Sequence, residues 1–148
     1  MEADLDSDRK HWVSVAAAIV DGDRLLAIRR RDNDKWEPPG GTLEPGETII
    51  AGLRREVLEE TGLTVESPRL SGVYKNMRRG IVALVFRCDF HGEARPSPEA
   101  AELRWMTSGE VNEFLDPAYA VRLLDAFEDA PAIRAHDGVN LLGELTSM

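Results

Sequence analysis

Residues 41–63 read GTLEPGETIIAGLRREVLEETGL, and the arrangement of this stretch decides how the rest of the chain is read. Glu47 to Thr61 has the pattern of a helix, and Gly62 is the residue type favoured just past a helix end. Ile49, Leu53 and Val57 recur at i, i+4 and i+8, one apolar stripe suited to packing on a sheet. With about 100° per residue, Glu56, Glu59 and Glu60 fall within a single arc roughly 100° wide, beside that stripe. Like charges at such spacings repel by a few tenths of a kcal/mol per pair on an exposed helix. A divalent cation with oxygen preference would relieve that repulsion, and Mg²⁺ typically takes carboxylates while sharing phosphate oxygens with a substrate.

Outward from this helix the chain alternates strand and helix signals. Val13 to Val20 is apolar or small on both alternating faces, as a central strand would be, and Asp21-Gly22-Asp23 turns it into a partner strand over Arg24 to Arg31. Pro38-Pro39-Gly40-Gly41 predicts a rigid bend without regular structure. Val73 to Lys75 and Ile81 to Phe90 read as strands around a basic turn at 76–80. Leu103 to Met106 reads as a short strand. Thr107-Ser108-Gly109-Glu110 has the form of a capping box. Asp116 and Pro117 open another helix, with Val121, Leu124 and Phe127 as its apolar face. Asp137-Gly138 reads either as a turn between two short strands or as part of a loose tail. The expectation is an α/β domain over residues 11–130, after an acidic lead-in at 1–10 and before a C-terminal extension at 131–148.

Composition narrows the function classes. A chain of 148 residues, 43% apolar and 30% charged, is one globular domain's worth. Eighteen basic against 27 acidic residues leave a formal charge of −9, which argues against a nucleic-acid binder. A bound metal ion can still reverse the local sign for a small anionic substrate. The lone Cys88 forbids an intrachain disulfide and reads as a small buried hydrophobe. His11, His91 and His136 are not at zinc spacing. No apolar run approaches the roughly 20 residues of a membrane span, so a cytoplasmic protein without membrane attachment is expected.

Gly41, Glu47, Arg55, Glu56, Glu59, Glu60 and Gly62, with apolar Val57 and Leu63, match every position of the Nudix box, a coincidence on the order of 10⁻⁷ by chance at average residue usage. The chain therefore resembles the Nudix hydrolases. The resemblance implies a Nudix fold, an α/β/α sandwich with a mixed central sheet, and metal-dependent water attack on a diphosphate linkage. By motif position it makes Glu56, Glu59 and Glu60 metal ligands for Mg²⁺, with Mn²⁺ as a substitute, and adds the backbone carbonyl of Gly41. Arg55 would orient the site by pairing with a box carboxylate, and Glu47 would be structural or would support the ligands from behind. The general base would be Glu59, or Glu99 or Glu102 on the loop before the Trp105 strand.

Cationic contacts to the substrate are expected from Arg29 and Arg31, which share one strand face, or from Lys75, Arg78 and Arg79 around the basic turn. Trp36 either stacks on a base or packs. The leading activity is conversion of a (deoxy)nucleoside triphosphate, canonical or oxidised, to monophosphate and pyrophosphate. The alternative is an ADP-ribose or nucleotide-sugar pyrophosphatase. The proline and tyrosine that often mark ADP-ribose and dinucleoside polyphosphate cleavers are replaced here by Arg78 and by Gly80-Ile81. A nucleotide-sensing module without catalysis is the reading from another class. Either a monomer or a homodimer is compatible with the sequence.

Overall fold

The computed structural model describes residues 9–143; the first eight residues of the lead-in and the last five of the extension lie outside them. Among these residues nine strands form one mixed sheet: β1 (Trp12–Asp21), β2 (Arg24–Arg30), β3 (Trp36–Glu37), β4 (Gly40–Thr42), β5 (Thr64–Asn76), β6 (Ile81–His91), β7 (Ala100–Met106), β8 (Ala132–His136) and β9 (Leu141–Leu142). The main path runs β3-β2-β1-β6-β5-β8-β9, with β4 on β1 and β7 on β2. β1 and β6 are parallel, as are β5 and β8, and the remaining pairs are antiparallel.

Alternation along β1 makes two cores. Val15, Ala17 and Ile19 point to one face and meet Leu53 and Val57 of α1 (Ile49–Thr61). Ala16 and Ala18 point to the other, where Val111 of α2 (Ser108–Phe114) and Ala120 and Leu123 of α3 (Pro117–Leu124) cover them. The result is the α/β/α sandwich expected from the sequence, because a strand apolar on both faces needs a helical layer on each. No helix among the described residues is long and apolar enough to cross a membrane.

Several local expectations need correction. α1 begins at Ile49, with Thr48 as its N-cap accepting from Ala51 N–H at 3.2 Å; Glu47 precedes the helix. The Pro-Pro-Gly-Gly segment is no unstructured bend, since Gly40 and Gly41 form β4 and pair with Ala16 and Val15. A Cβ on Gly40 would lie 2.2 Å from the Val15 carbonyl oxygen, so β4 approaches β1 as closely as it does only through glycine. The strand expected at Val73 to Lys75 runs from Thr64, with register shifts that break its alternation. α3 buries Ala118, Ala120, Arg122 and Leu123, whereas Phe127 is exposed, and Asp116 makes no side-chain cap but pairs with Lys35.

The Thr107–Glu110 capping box and the left-handed Gly62 cap (φ 78°) form as expected. Asp137-Gly138 turns β8 into β9, and β8 extends the sheet beside β5. Cys88 is buried, and burial pushes its thiol up to about 12.

Candidate active site

The packing of Leu53 and Val57 on the sheet turns the neighbouring arc of α1 toward β4, and with it the glutamates. Glu60 is buried, 4% exposed, and its Oε1 accepts from Gly40 N–H at 2.7 Å. The Glu56 carboxylate lies so close to Gly41 that a Cβ there would be 2.2 Å from Glu56 Oε2. A side chain at position 41 would thus displace the carboxylate from the backbone it faces. Glu59 stays largely exposed.

Arg55 gathers the rest of the cluster. Its Nη2 and Nε donate to Glu47 at 2.6 and 2.9 Å, while its Nη1 donates to Glu56 at 2.8 Å and Glu59 at 3.2 Å. The Arg55 pair, aided by a hydrogen bond from Glu44 N–H, holds Glu47 down at about 2. Glu56 is shifted upward instead, first by burial and then by the charges of Glu59 and Glu99. Burial pushes Glu60 up to about 8, with Glu56, Glu37 and Glu99 adding to the rise. Among the described residues no three histidine, cysteine or carboxylate side chains already converge as a ligand set.

The two loop candidates for the base separate. Glu99 contributes to the field at both Glu56 and Glu60. Glu102 sits on β7 opposite Arg29, whose Nε it accepts at 3.2 Å.

A cleft of about 520 Å³ opens beside the carboxylates, lined by Gly40, Gly41, Thr42, Arg30, Glu37, Asn76, Arg79, Tyr119, Arg122 and the first residues of β1. Of the arginines on β2 and just beyond it, Arg30 lines this cleft and neither Arg29 nor Arg31 does. Arg29 is engaged with Glu102 and Asp34, and Arg31 donates to the carbonyls of Ser97 and Pro98. On the basic turn Arg79 lines the cleft, whereas Arg78 makes its backbone bond to Asn76 and is not among the lining residues. Trp36 packs, with its ring 6.3 Å from Phe114. The aromatic side chains at the cleft are Trp12 and Tyr119, and Trp12 is 68% exposed. Sequence reasoning missed Trp12, Glu37, Tyr119 and Arg122. An exposed tryptophan beginning a buried strand was the available signal for the first, and Arg122 carried none inside an apolar helix.

Comparison with known proteins agrees with this geometry. The model of the NUDIX domain matches residues 10–127. A MutT-like protein of Streptomyces ambofaciens is 55% identical over 135 residues, 89% of this chain and 88% of that one. A putative 8-oxo-dGTP diphosphatase of Bacillus subtilis is 31% identical over 101 residues, covering 67% and 68%. The crystal structure of a MutT protein from Bacillus halodurans superposes with a TM-score of 0.72 at 26% identity, covering 89% of this chain and 95% of that one. With its box intact on α1 and its carboxylates gathered at β4, the chain belongs to the Nudix hydrolase family.

Proposed function

We propose that this chain is a divalent-metal-dependent pyrophosphohydrolase that converts a (deoxy)nucleoside triphosphate, canonical or oxidised, to its monophosphate and pyrophosphate. The observation that carries this reading is the continuity of the site: Gly40 and Gly41 touch the Glu60 and Glu56 carboxylates and also line a cleft holding Arg30, Arg79 and Arg122. The β4 glycines thus lie between carboxylates suited to cations and a cleft whose Arg30 and Arg79 suit phosphate oxygens. The putative 8-oxo-dGTP diphosphatase among the relatives supports the triphosphate class.

The donor set fits Mg²⁺ or Mn²⁺, being made of hard oxygens, with Glu60 bonded to the Gly40 N–H and to no cationic side chain among the described residues. Glu56, Glu59, Glu60 and the Gly41 carbonyl would hold the ion. When bound, it supplies charge neutralisation at the diphosphate and acidifies a water. Arg55 orients Glu56 and Glu59 by donating a hydrogen bond to each. Glu99 is taken as the acceptor of the attacking water's proton, since its charge acts on Glu56 and Glu60 while Glu102 is engaged by Arg29. Arg30 and Arg79 hold phosphate oxygens. The chain acts on small nucleotides rather than nucleic acid, in the cytoplasm, as a monomer or homodimer, and residues 11–130 form its catalytic domain.

The test is product chromatography over nucleoside triphosphates, oxidised ones, ADP-ribose and nucleotide sugars, with Mg²⁺, Mn²⁺ or EDTA. Metal-dependent release of pyrophosphate is expected, abolished in Glu60→Gln and lowered by roughly 10²–10⁴ in Glu99→Gln. Glu102→Gln is expected to change kcat far less. Turnover of ADP-ribose alone would overturn the substrate class, and binding without turnover would favour the sensing module.

A further inference from the structure

Arg122 is a buried cation whose Nε lacks an acceptor among the described residues. It is 8% exposed on α3 and lines the cleft. Its one side-chain hydrogen-bond contact among the described residues is with His136 Nε2, 3.1 Å from Nη2. Gly138 N–H approaches His136 Nδ1 at 2.9 Å, and a neutral imidazole has a single acceptor nitrogen, so the ring can serve only one of these two donors. Burial lowers His136 to about 4, which keeps that ring neutral. The guanidinium rests instead on aromatic faces, 4.6 Å from the Tyr119 centroid and 5.5 Å from that of Tyr74. Glu37, whose charge steadies Arg122, is hydrogen-bonded to Arg30. An orphaned buried donor is costly to a fold, so its retention at a cleft wall calls for an acceptor that arrives from outside.

Resting on the nucleotide reading above, we propose that Arg122, with Glu37 beside it, recognises the 6-oxo edge of a purine base and so sets base specificity. Arginine donors match the O6 acceptor of guanine or hypoxanthine, and a carboxylate matches the adjacent N1–H. Adenine presents a 6-amino donor there, which would face the guanidinium donor against donor. Arg122 is thus a specificity residue, and it contributes nothing to the chemical step.

The experiment measures binding of GMP, IMP and AMP by calorimetry, without metal, to the wild type, Arg122→Lys and Arg122→Met, together with the melting temperature of each. GMP and IMP are expected to bind the wild type at least about tenfold more tightly than AMP. Arg122→Met should abolish that preference without lowering the melting temperature, because it removes an unpaired buried charge. In steady-state assays Arg122→Lys should raise KM for GTP about tenfold while kcat changes far less, narrowing the preference for GTP over ATP. Equal binding of AMP and GMP to the wild type, or no binding of any of them, would overturn the proposal. So would a uniform loss across bases with a lowered melting temperature, which would mark Arg122 as a structural residue. Base preference without hydrolysis would leave this inference standing while the hydrolase reading failed.

Discussion

Replacing Glu60 by glutamine should change how the metal-free protein's stability depends on pH. The carboxylate is buried, receives one hydrogen bond from Gly40 N–H, and feels the charges of Glu56, Glu37 and Glu99. Burial, the largest cause, lifts its pKa from an ordinary 4.5 to about 8. In the unfolded chain the proton leaves near the ordinary value; in the fold it is retained until about pH 8. The stabilisation by this retained proton is therefore complete below pH 4.5 and is lost progressively as pH rises to about 8. At 1.36 kcal/mol per pKa unit the contribution is on the order of 5 kcal/mol, comparable with a domain's whole net stability. Urea denaturation in EDTA at intervals from pH 5 to pH 8 should show wild-type stability falling steeply while Glu60→Gln falls much less. Saturating Mg²⁺ should flatten the wild-type curve, because a cation supplies the charge that the proton supplied, and calorimetry in two buffers would count the released protons. Parallel curves for the two proteins in EDTA would refute the reasoning.

Gly40→Ala would force a methyl against the Val15 carbonyl, moving β4 off β1 and the Gly40 N–H off Glu60, so a loss of about 1–3 kcal/mol in denaturation is expected together with activity. A fully active variant of unchanged stability would show that β4 need not lie where it does. Tyr74→Phe removes the buried hydroxyl that donates to Asp125 Oδ2 at 2.8 Å, and should cost about 1–2 kcal/mol by urea denaturation with the kinetics unaltered. Arg30→Ala should raise KM more than it lowers kcat, while Arg31→Ala, outside the cleft, should change neither; a raised KM for both would return the phosphate contacts to the other face of β2.

The half of the site on α1 was legible because helical period and a box of named residues both act locally: the Gly62 cap, the Leu53 and Val57 stripe and the glutamate arc need no knowledge of distant strands. The β2 arginines show where that reasoning stops. Alternation separates Arg30 from Arg29 and Arg31, but Leu25 to Ile28 are buried on both faces, so nothing local says which face opens on the cleft. Trp36 met Phe114, and Glu102 met Arg29, through pairings far apart in the chain. β4 was hidden because proline and glycine ordinarily break strands, and its glycines are required by contacts with β1 and Glu56 made only in the folded sheet. The register shifts in β5 erased the alternation that marks a strand over Thr64 to Gly72.

The parallel pairing of β1 with β6 also governs when the protein can begin to work. Trp12 pairs with Ile81 and Ile19 with Cys88, so the loop that this pairing closes contains the whole of α1. Parallel partners cannot be joined by a short hairpin, and non-local pairings of this kind are slow because chain entropy is lost before contacts repay it. During synthesis from the N-terminus, the glutamate helix emerges while the sheet it packs on is still without its central partner. A nascent chain ending before about residue 90 therefore lacks the complete β1–β6 ladder beneath the carboxylates, and catalytic competence should appear late in translation and abruptly.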